Sequence, residues 1–358
     1  MKIMTIVGAR PQFIKAAAVS HALARHPGGA EEVLVHTGQH PDDEMSRVFF
    51  EELRLPPPKH HLGVSGGSHA DMTGRMLAAL EPVMIQERPD RVVIYGDTNS
   101  TLAGALAAAK LNLPIAHVEA GLRSFNRLMP EETNRLVADR LSRLLFCPTA
   151  AAVANLAREG ITSGVHHVGD VMYDSVLHYG AAAEASSRIL DALGLAPGAY
   201  YLATVHRAEN TDDRARLAGI LEALAGASLP VVLPLHPRTR QALGADLEKV
   251  QARVRVIGPA GYLDMLMLER CARLILTDSG GVQKEAYGFG VPCVTLRGET
   301  EWVELVAAGW NRLAGADPDA IGAAMAAAEA MDRSIPRPPF YGDGRAAERI
   351  VSLLLTPA

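Results

Sequence analysis

The stretch HVEAGLRSFNRLMPEETNR, residues 117–135, packs the carboxylates of Glu119, Glu131 and Glu132, three arginines and a histidine into nineteen positions. Carboxylates and histidines move protons, and arginines hold anions, so this composition suits acid–base work on a negatively charged ligand. A further acid, Asp97, stands in YGDTNST, where an apolar run gives way to a small polar helix cap. In GARPQFIK, Gly8 permits a tight turn, Pro11 can open a helix, and Arg10 and Lys15 lie close to that helix's start. Two cations beside outward-facing backbone N–H groups suit a phosphate.

The second half repeats the arrangement with different chemistry. TVHRAEN places His206 and Arg207 after an apolar run, and PLHPRTR places His236 in the same way. TDSGGVQKEA follows a third such run with Ser279, Gly280 and Gly281, which let a backbone approach a ligand closely. Glu285 then falls in the second turn of the helix that starts there. A diphosphate at that helix terminus, with a carboxylate reaching ribose hydroxyls, is the specific reading. At GARPQFIK neither the dinucleotide fingerprint GxGxxG nor a Walker loop occurs.

Short β-branched runs alternate with longer amphipathic stretches, the pattern of parallel strands joined by crossover helices. Strands are predicted at KIMTIVG, EEVLVHT, RVVIYGD, PIAHVE, RLLFCPT and VHHVGD, and then at YYLATVH, PVVLPLH, VRVIGP, RLILTDS and PCVTLRG. Helices are predicted near 11–25, 42–53, 70–88, 99–110, 131–142 and 149–159, and near 212–226, 238–248, 262–271, 280–288 and 317–331. This gives an α/β chain of two Rossmann-like, doubly wound domains: 1–170 with the acids, 171–340 for the nucleotide, and a final helix in 341–358 returning to the first. Ligands of such sheets sit at strand carboxyl ends, where strand order reverses, which places this one in the interdomain cleft.

The chain has 358 residues and a net charge of −5 with no long run of either sign, so nothing points to nucleic acid or an anionic membrane as partner. Charged residues within the first ten positions leave no room for a signal peptide, and no run suffices to span a bilayer; a cytoplasmic protein is expected. Cys147, Cys271 and Cys293 lie far apart in apolar surroundings and read as buried free thiols. The acids form no metal-binding motif, so no metal is expected.

In this combination the sequence resembles the non-hydrolysing UDP-N-acetylglucosamine 2-epimerases, through GARPQFIK, TGQH, YGDTNST, HVEAGLRS, MPEETNR, HRAEN, LHPRT, TDSGGVQKEA and YGDG in order along essentially the whole chain. The resemblance implies the glycosyltransferase B fold, a homodimer, a UDP-sugar substrate and no cofactor. It implies interconversion of UDP-GlcNAc and UDP-ManNAc, for surface polysaccharides such as O-antigen, by elimination of UDP to a 2-acetamidoglucal and re-addition. Position by position, Asp97, Glu119 and Glu131 match the family's catalytic acids, His206 its active-site histidine, and Glu285 its ribose-binding carboxylate. Arg10, Lys15, Gln39, Arg123, Arg135, Arg207, His236, Ser279, Gly280 and Gly281 complete the expected substrate contacts.

Some positions depart from the commoner pattern. Trp302 in TEWVE stands where many members have the arginine of TERPE, and Met265 where an aromatic usually packs on uracil. GARPQFIK with TEWVE is more similar to the subgroup acting on UDP-2,3-diacetamido-2,3-dideoxy-glucuronate, whose acid group would need one more cation from Arg123, Arg127 or Arg207. Asp42 and Gly66/Gly67 replace the residues of members that need an allosteric activator, so none is expected. The rival readings are a glycosyltransferase of the same fold, a hydrolysing 2-epimerase and a silent nucleotide-sugar binding module.

Overall fold

Apolar runs such as IMTIV and VVIY leave no polar side for water, and both become inner strands of a parallel sheet covered by helices on its faces. The computed structural model describes residues 1–39 and 43–356, apart from the side chains of 43–47, 237 and 245. Asp42, part of the activator argument, lies outside the described residues. The chain divides into two compact units, 1–175 with 339–358, and 176–338.

The first unit holds a parallel sheet of seven strands: β1 (Lys2–Val7), β2 (Glu31–His36), β3 (His60–His61), β4 (Arg91–Tyr95), β5 (Ile115–Val118), β6 (Leu144–Cys147) and β7 (Val165–His167). Their order is β3-β2-β1-β4-β5-β6-β7, so it reverses between β1 and β4. Met4, Ile6, Val33, Val35, Val92 and Ile94 pack on one face against Met76, Leu80 and Met84. The Ala-rich helix Asn99–Lys110 lies so close to the sheet that a Cβ on Gly104 would sit 2.9 Å from Ile6 Cδ1. Helix Ala346–Leu355 ends the chain and packs on helix Arg10–Arg25, burying Ile350, Val351 and Leu354.

The second unit has six parallel strands, β8 (Tyr201–Thr204), β9 (Val231–Pro234), β10 (Arg255–Ile257), β11 (Leu274–Thr277), β12 (Cys293–Thr295) and β13 (Asn311–Leu313). They are ordered β10-β9-β8-β11-β12-β13, reversing between β8 and β11. Alternation sends Tyr201, Ala203 and Leu233 into one core, and Tyr200 (just before β8), Leu202 and Val232 into another on the opposite face.

Every predicted strand and helix has its counterpart, and two doubly wound sheets in series are the glycosyltransferase B class of fold. Sequence reading missed β3 and β13, which have two and three residues, and the sixteen-residue helix Val171–Ser186. The division between the units runs through that helix, after Ser175, because its first turn is tied to the first unit. The Ser175 hydroxyl donates to Ile14 O, and the Asp174 carboxylate accepts from Ala346 N and Ala347 N. Among the described residues no helix is long and apolar enough to cross a membrane.

Candidate active site

In the first unit the residues of interest follow β1, β4 and β5, around the point where strand order reverses. Lys15, in the second turn of helix Arg10–Arg25, forms a buried ion pair with Glu119 just beyond β5. Glu119 adopts φ +71, a left-handed conformation that a non-glycine residue holds only under constraint from its surroundings. The constraint is visible: Glu119 N and Ala120 N both donate to Phe146 O at 3.1 Å. Gly96, after β4 at φ +60, forms the floor under the pair, since a Cβ there would lie 3.0 Å from Lys15 Nζ and 3.1 Å from Glu119 Oε2.

Asp97, the next residue, keeps its carboxylate partly exposed while Oδ2 accepts from Arg135 Nη2 at 2.6 Å and Nε at 2.9 Å. Arg135 also donates to Glu132 Oε2 at 2.9 Å, and Glu132 in turn accepts from the backbone N–H groups of Ser124 and Phe125, each at 3.0 Å. Glu131 occupies the first turn of helix Pro130–Leu141, partly exposed. Gln39 accepts from Ser100 N at 3.0 Å and Ser100 Oγ at 2.7 Å, so it is bound to the start of helix Asn99–Lys110. Arg10 lies over the Phe49 ring, 5.5 Å from its centroid.

Arg123 departs from the expectation of substrate contact. Its Nε and Nη2 both meet Glu159 at 2.7 Å, and Nη1 donates to Asp139 Oδ2 and Leu122 O, also at 2.7 Å. A buried Asp139 needs that cation, so Arg123 is a core ion-pair residue rather than one reaching for ligand. Arg127 is exposed.

In the second unit the residues follow β8 and β11, again at the reversal of strand order. His206 Nδ1 lies 3.1 Å from Asp278 Oδ1, and Asp278 also accepts from His206 N, Arg207 N at 2.9 Å and Asn210 Nδ2 at 3.1 Å. Burial alone would raise the Asp278 pKa, but the His206 ring and these backbone donors outweigh it and bring it down to about 2. A carboxylate that fixes Nδ1–H leaves Nε2 as the working nitrogen of the ring. The His236 ring stands 5.5 Å from that of His206, while its Nδ1 accepts from Arg238 N to cap helix Pro237–Leu243.

Ser279 caps helix Gly280–Phe289, with Gly280 and Gly281 as its first residues. Trp302 is buried against this start: a Cβ on Gly280 would lie 3.3 Å from its Nε1, and Lys284 Nζ sits 4.2 Å from the indole centroid. Glu285 is buried beside Tyr262 and Glu269. Burial, and then the Glu285 charge, push the Tyr262 hydroxyl and the Glu269 carboxyl well above their usual ranges.

Sequence reading missed several members of these networks. Glu132 and Asp139 were not singled out as site residues, although they recur with the expected Arg135 at i, i+7 and i+3 on helix Pro130–Leu141, a polar stripe on its buried face, and that spacing is a legible signal; Arg135, expected at the substrate, bonds Asp97 and Glu132. Asp278 was visible at the end of β11, without its role toward His206. Gln12 gave no signal beyond its helix start, yet it accepts from Gly8 N and Ala9 N and donates to Tyr95 O, tying the end of β1 to that of β4. Among the described residues no group of three or more His, Cys, Asp or Glu could hold a metal ion.

Residues 21–355 match the sequence profile of the UDP-N-acetylglucosamine 2-epimerase family. The chain is 52% identical to the UDP-2,3-diacetamido-2,3-dideoxy-D-glucuronate 2-epimerase of Pseudomonas aeruginosa and 50% identical to a UDP-N-acetylglucosamine 2-epimerase homolog of Methanococcus maripaludis; in both comparisons 99% of each chain is covered. It is also similar to the crystal structure of Methanocaldococcus jannaschii UDP-GlcNAc 2-epimerase in complex with UDP-GlcNAc and UDP, at a TM-score of 0.93, 42% identity and 99% coverage of each chain.

Proposed function

The chain belongs to the UDP-N-acetylglucosamine 2-epimerase family, and from that premise we propose that it reversibly inverts C2 of UDP-N-acetylglucosamine to give UDP-N-acetylmannosamine. The C2–H bond adjoins no carbonyl and is a poor acid, so cleavage of the C1–O bond leads and charge builds on the departing UDP. Within the second unit, Ser279, Gly280 and Gly281 at a helix start hold that charge together with His206, which Asp278 steadies; Arg10 and Lys15 are read as further cations for the same anion. Asp97, Glu119 and Glu131 take the C2 proton from one face and return it to the other. Elimination and re-addition are redox-neutral and call on no nicotinamide. The active form is read as a cytoplasmic homodimer supplying surface polysaccharide precursors.

The observation that carries this reading is the pair of carboxylate–cation contacts, Asp97–Arg135 and Glu119–Lys15, just beyond the ends of the adjacent strands β4 and β5. Incubation with UDP-N-acetylglucosamine in heavy water, followed by proton NMR, tests it. The expected result is the C2 epimer with deuterium at C2 and the UDP-sugar intact. Free UDP with a free sugar, or an unexchanged C2 hydrogen, would sink it.

The 2,3-diacetamido-uronate is a second substrate reading, favoured by the relative of that name at 52% identity and by Trp302 in place of the commoner arginine. The same assay run on both sugars decides between them by the ratio of kcat/KM.

A further inference from the structure

We propose that His117 is a doubly protonated imidazolium, held in a charge-balanced buried network, and that it is a positioning residue for the Gly96–Asp97 turn. His117 lies on β5 with 0% exposure. Its Nδ1 is 2.7 Å from Asp139 Oδ1 and its Nε2 is 2.7 Å from the carbonyl oxygen of Gly96. A carbonyl oxygen and an ionised carboxylate only accept, so both ring nitrogens must donate, and only the imidazolium has two N–H groups.

Asp139 is held in the ionised form from its other side. Its Oδ2 accepts from Arg123 Nη1 at 2.7 Å and Gly121 N at 3.1 Å. Burial would raise its pKa, but His117 and Arg123 outweigh that and lower it. Arg123 continues to Glu159 through two contacts at 2.7 Å. With His117 charged, two cations, His117 and Arg123, meet the buried Asp139, and Arg123 also meets Glu159, whose side chain is 30% exposed. Cys147 also lies near Asp139; burial and then the Asp139 charge push its thiol up to about 12, so it adds no charge.

The network reaches the reacting groups through one peptide. The His117 Nε2–H bond fixes Gly96 O, Gly96 N donates to Val118 O at 3.0 Å, and Asn134 Nδ2 donates to Asp97 O at 2.8 Å. Together these hold a φ +60 glycine under the Lys15–Glu119 pair and aim the Asp97 side chain at Arg135. The link to turnover rests on the reading of Asp97 and Glu119 given above; the protonation state does not.

Two measurements on the full chain test this. In 15N-histidine-labelled protein, with His117 assigned by the signals lost in His117→Gln, both ring nitrogens should carry protons at pH 7. A ring nitrogen without a proton at that pH overturns the imidazolium. The His117→Gln variant should lose about tenfold or more in C2 hydrogen exchange, with UDP affinity within about twofold of wild type. Unchanged exchange overturns the positioning role, and so does a parallel loss of UDP affinity. Should wild type exchange no C2 hydrogen on either UDP-sugar, the proposed function fails, while the nitrogen signals still decide the state of His117.

Discussion

Each carboxylate of the candidate site has a partner, and removing the Glu119 charge leaves Lys15 buried without its anion, so stability is measured beside turnover. Asp97→Asn, Glu119→Gln and Glu131→Gln keep shape and hydrogen-bonding capacity while removing the base. Each should lower turnover by about 10²-fold or more with UDP binding retained. Steady-state rates beside UDP titrations check this, and near-normal turnover in all three would end the acid–base assignment. Asp278 offers a test by pH instead. Its folded pKa of about 2 lies below the 3.8 usual for an aspartate, so its ionised form stabilises the fold above about pH 4. That contribution, on the order of 2 kcal/mol, is lost as pH falls toward 2. Wild type should therefore lose stability relative to Asp278→Asn over that window in denaturant titrations. An unchanging difference would show that His206 and the backbone donors do not hold the charge. At this scale the sequence revealed which residue types stand at strand ends, but not where their side chains turn. Arg123 sits in the same motif as Glu119, yet a buried Asp139, sixteen residues later, takes it into the core.

The strand-to-helix turns decide whether those residues meet. Gly96→Ala combines two penalties: a left-handed φ and a Cβ within 3.1 Å of both Lys15 Nζ and Glu119 Oε2. It should cost about 1–3 kcal/mol in stability and depress turnover strongly. Gly63→Ala is the control, because Gly63 has φ +64 with nothing within 4 Å of the added carbon. There only backbone strain is felt, about 1 kcal/mol, and activity should persist. Denaturation midpoints and turnover of the two variants separate strain from collision, and equal loss of activity in both would refute the floor under the Lys15–Glu119 pair. Element boundaries were legible wherever the apolar pattern was regular, as at β1, β4 and helix Asn99–Lys110. Helix Val171–Ser186 escaped because its apolar residues wrap around it instead of forming one stripe. β3 is too short to carry a pattern.

At the level of the whole chain, two crossings between the units have to be anchored, and the anchors are polar. Residues 174–175 and 339–347 are tied to the first unit through Asp174, whose carboxylate accepts from Ala347 N at 2.7 Å and Ala346 N at 3.2 Å and so caps the terminal helix. At the far end of that helix, Arg91 donates to the carbonyls of Leu353, Leu354 and Thr356. No motif announced either contact, because each joins residues more than 170 positions apart. Burial raises the Asp174 pKa from 3.8 to about 6, the two backbone donors pull it down, and Asp170 and Asp343 add to the rise. A raised carboxyl pKa means that the protonated form is favoured in the fold. Its stabilisation is complete below about pH 4 and is lost as pH rises through about 6, a difference of up to about 3 kcal/mol. Asp174→Asn keeps an oxygen acceptor for the helix and cannot ionise. The variant should match or fall slightly below wild type near pH 4, and should melt at a higher temperature by pH 7.5, in scans at fixed ionic strength that follow the first unit's transition. A melting difference that stays constant from pH 4 to 7.5 would mean that Asp174 titrates as a solvated side chain and that the cap carries no buried charge.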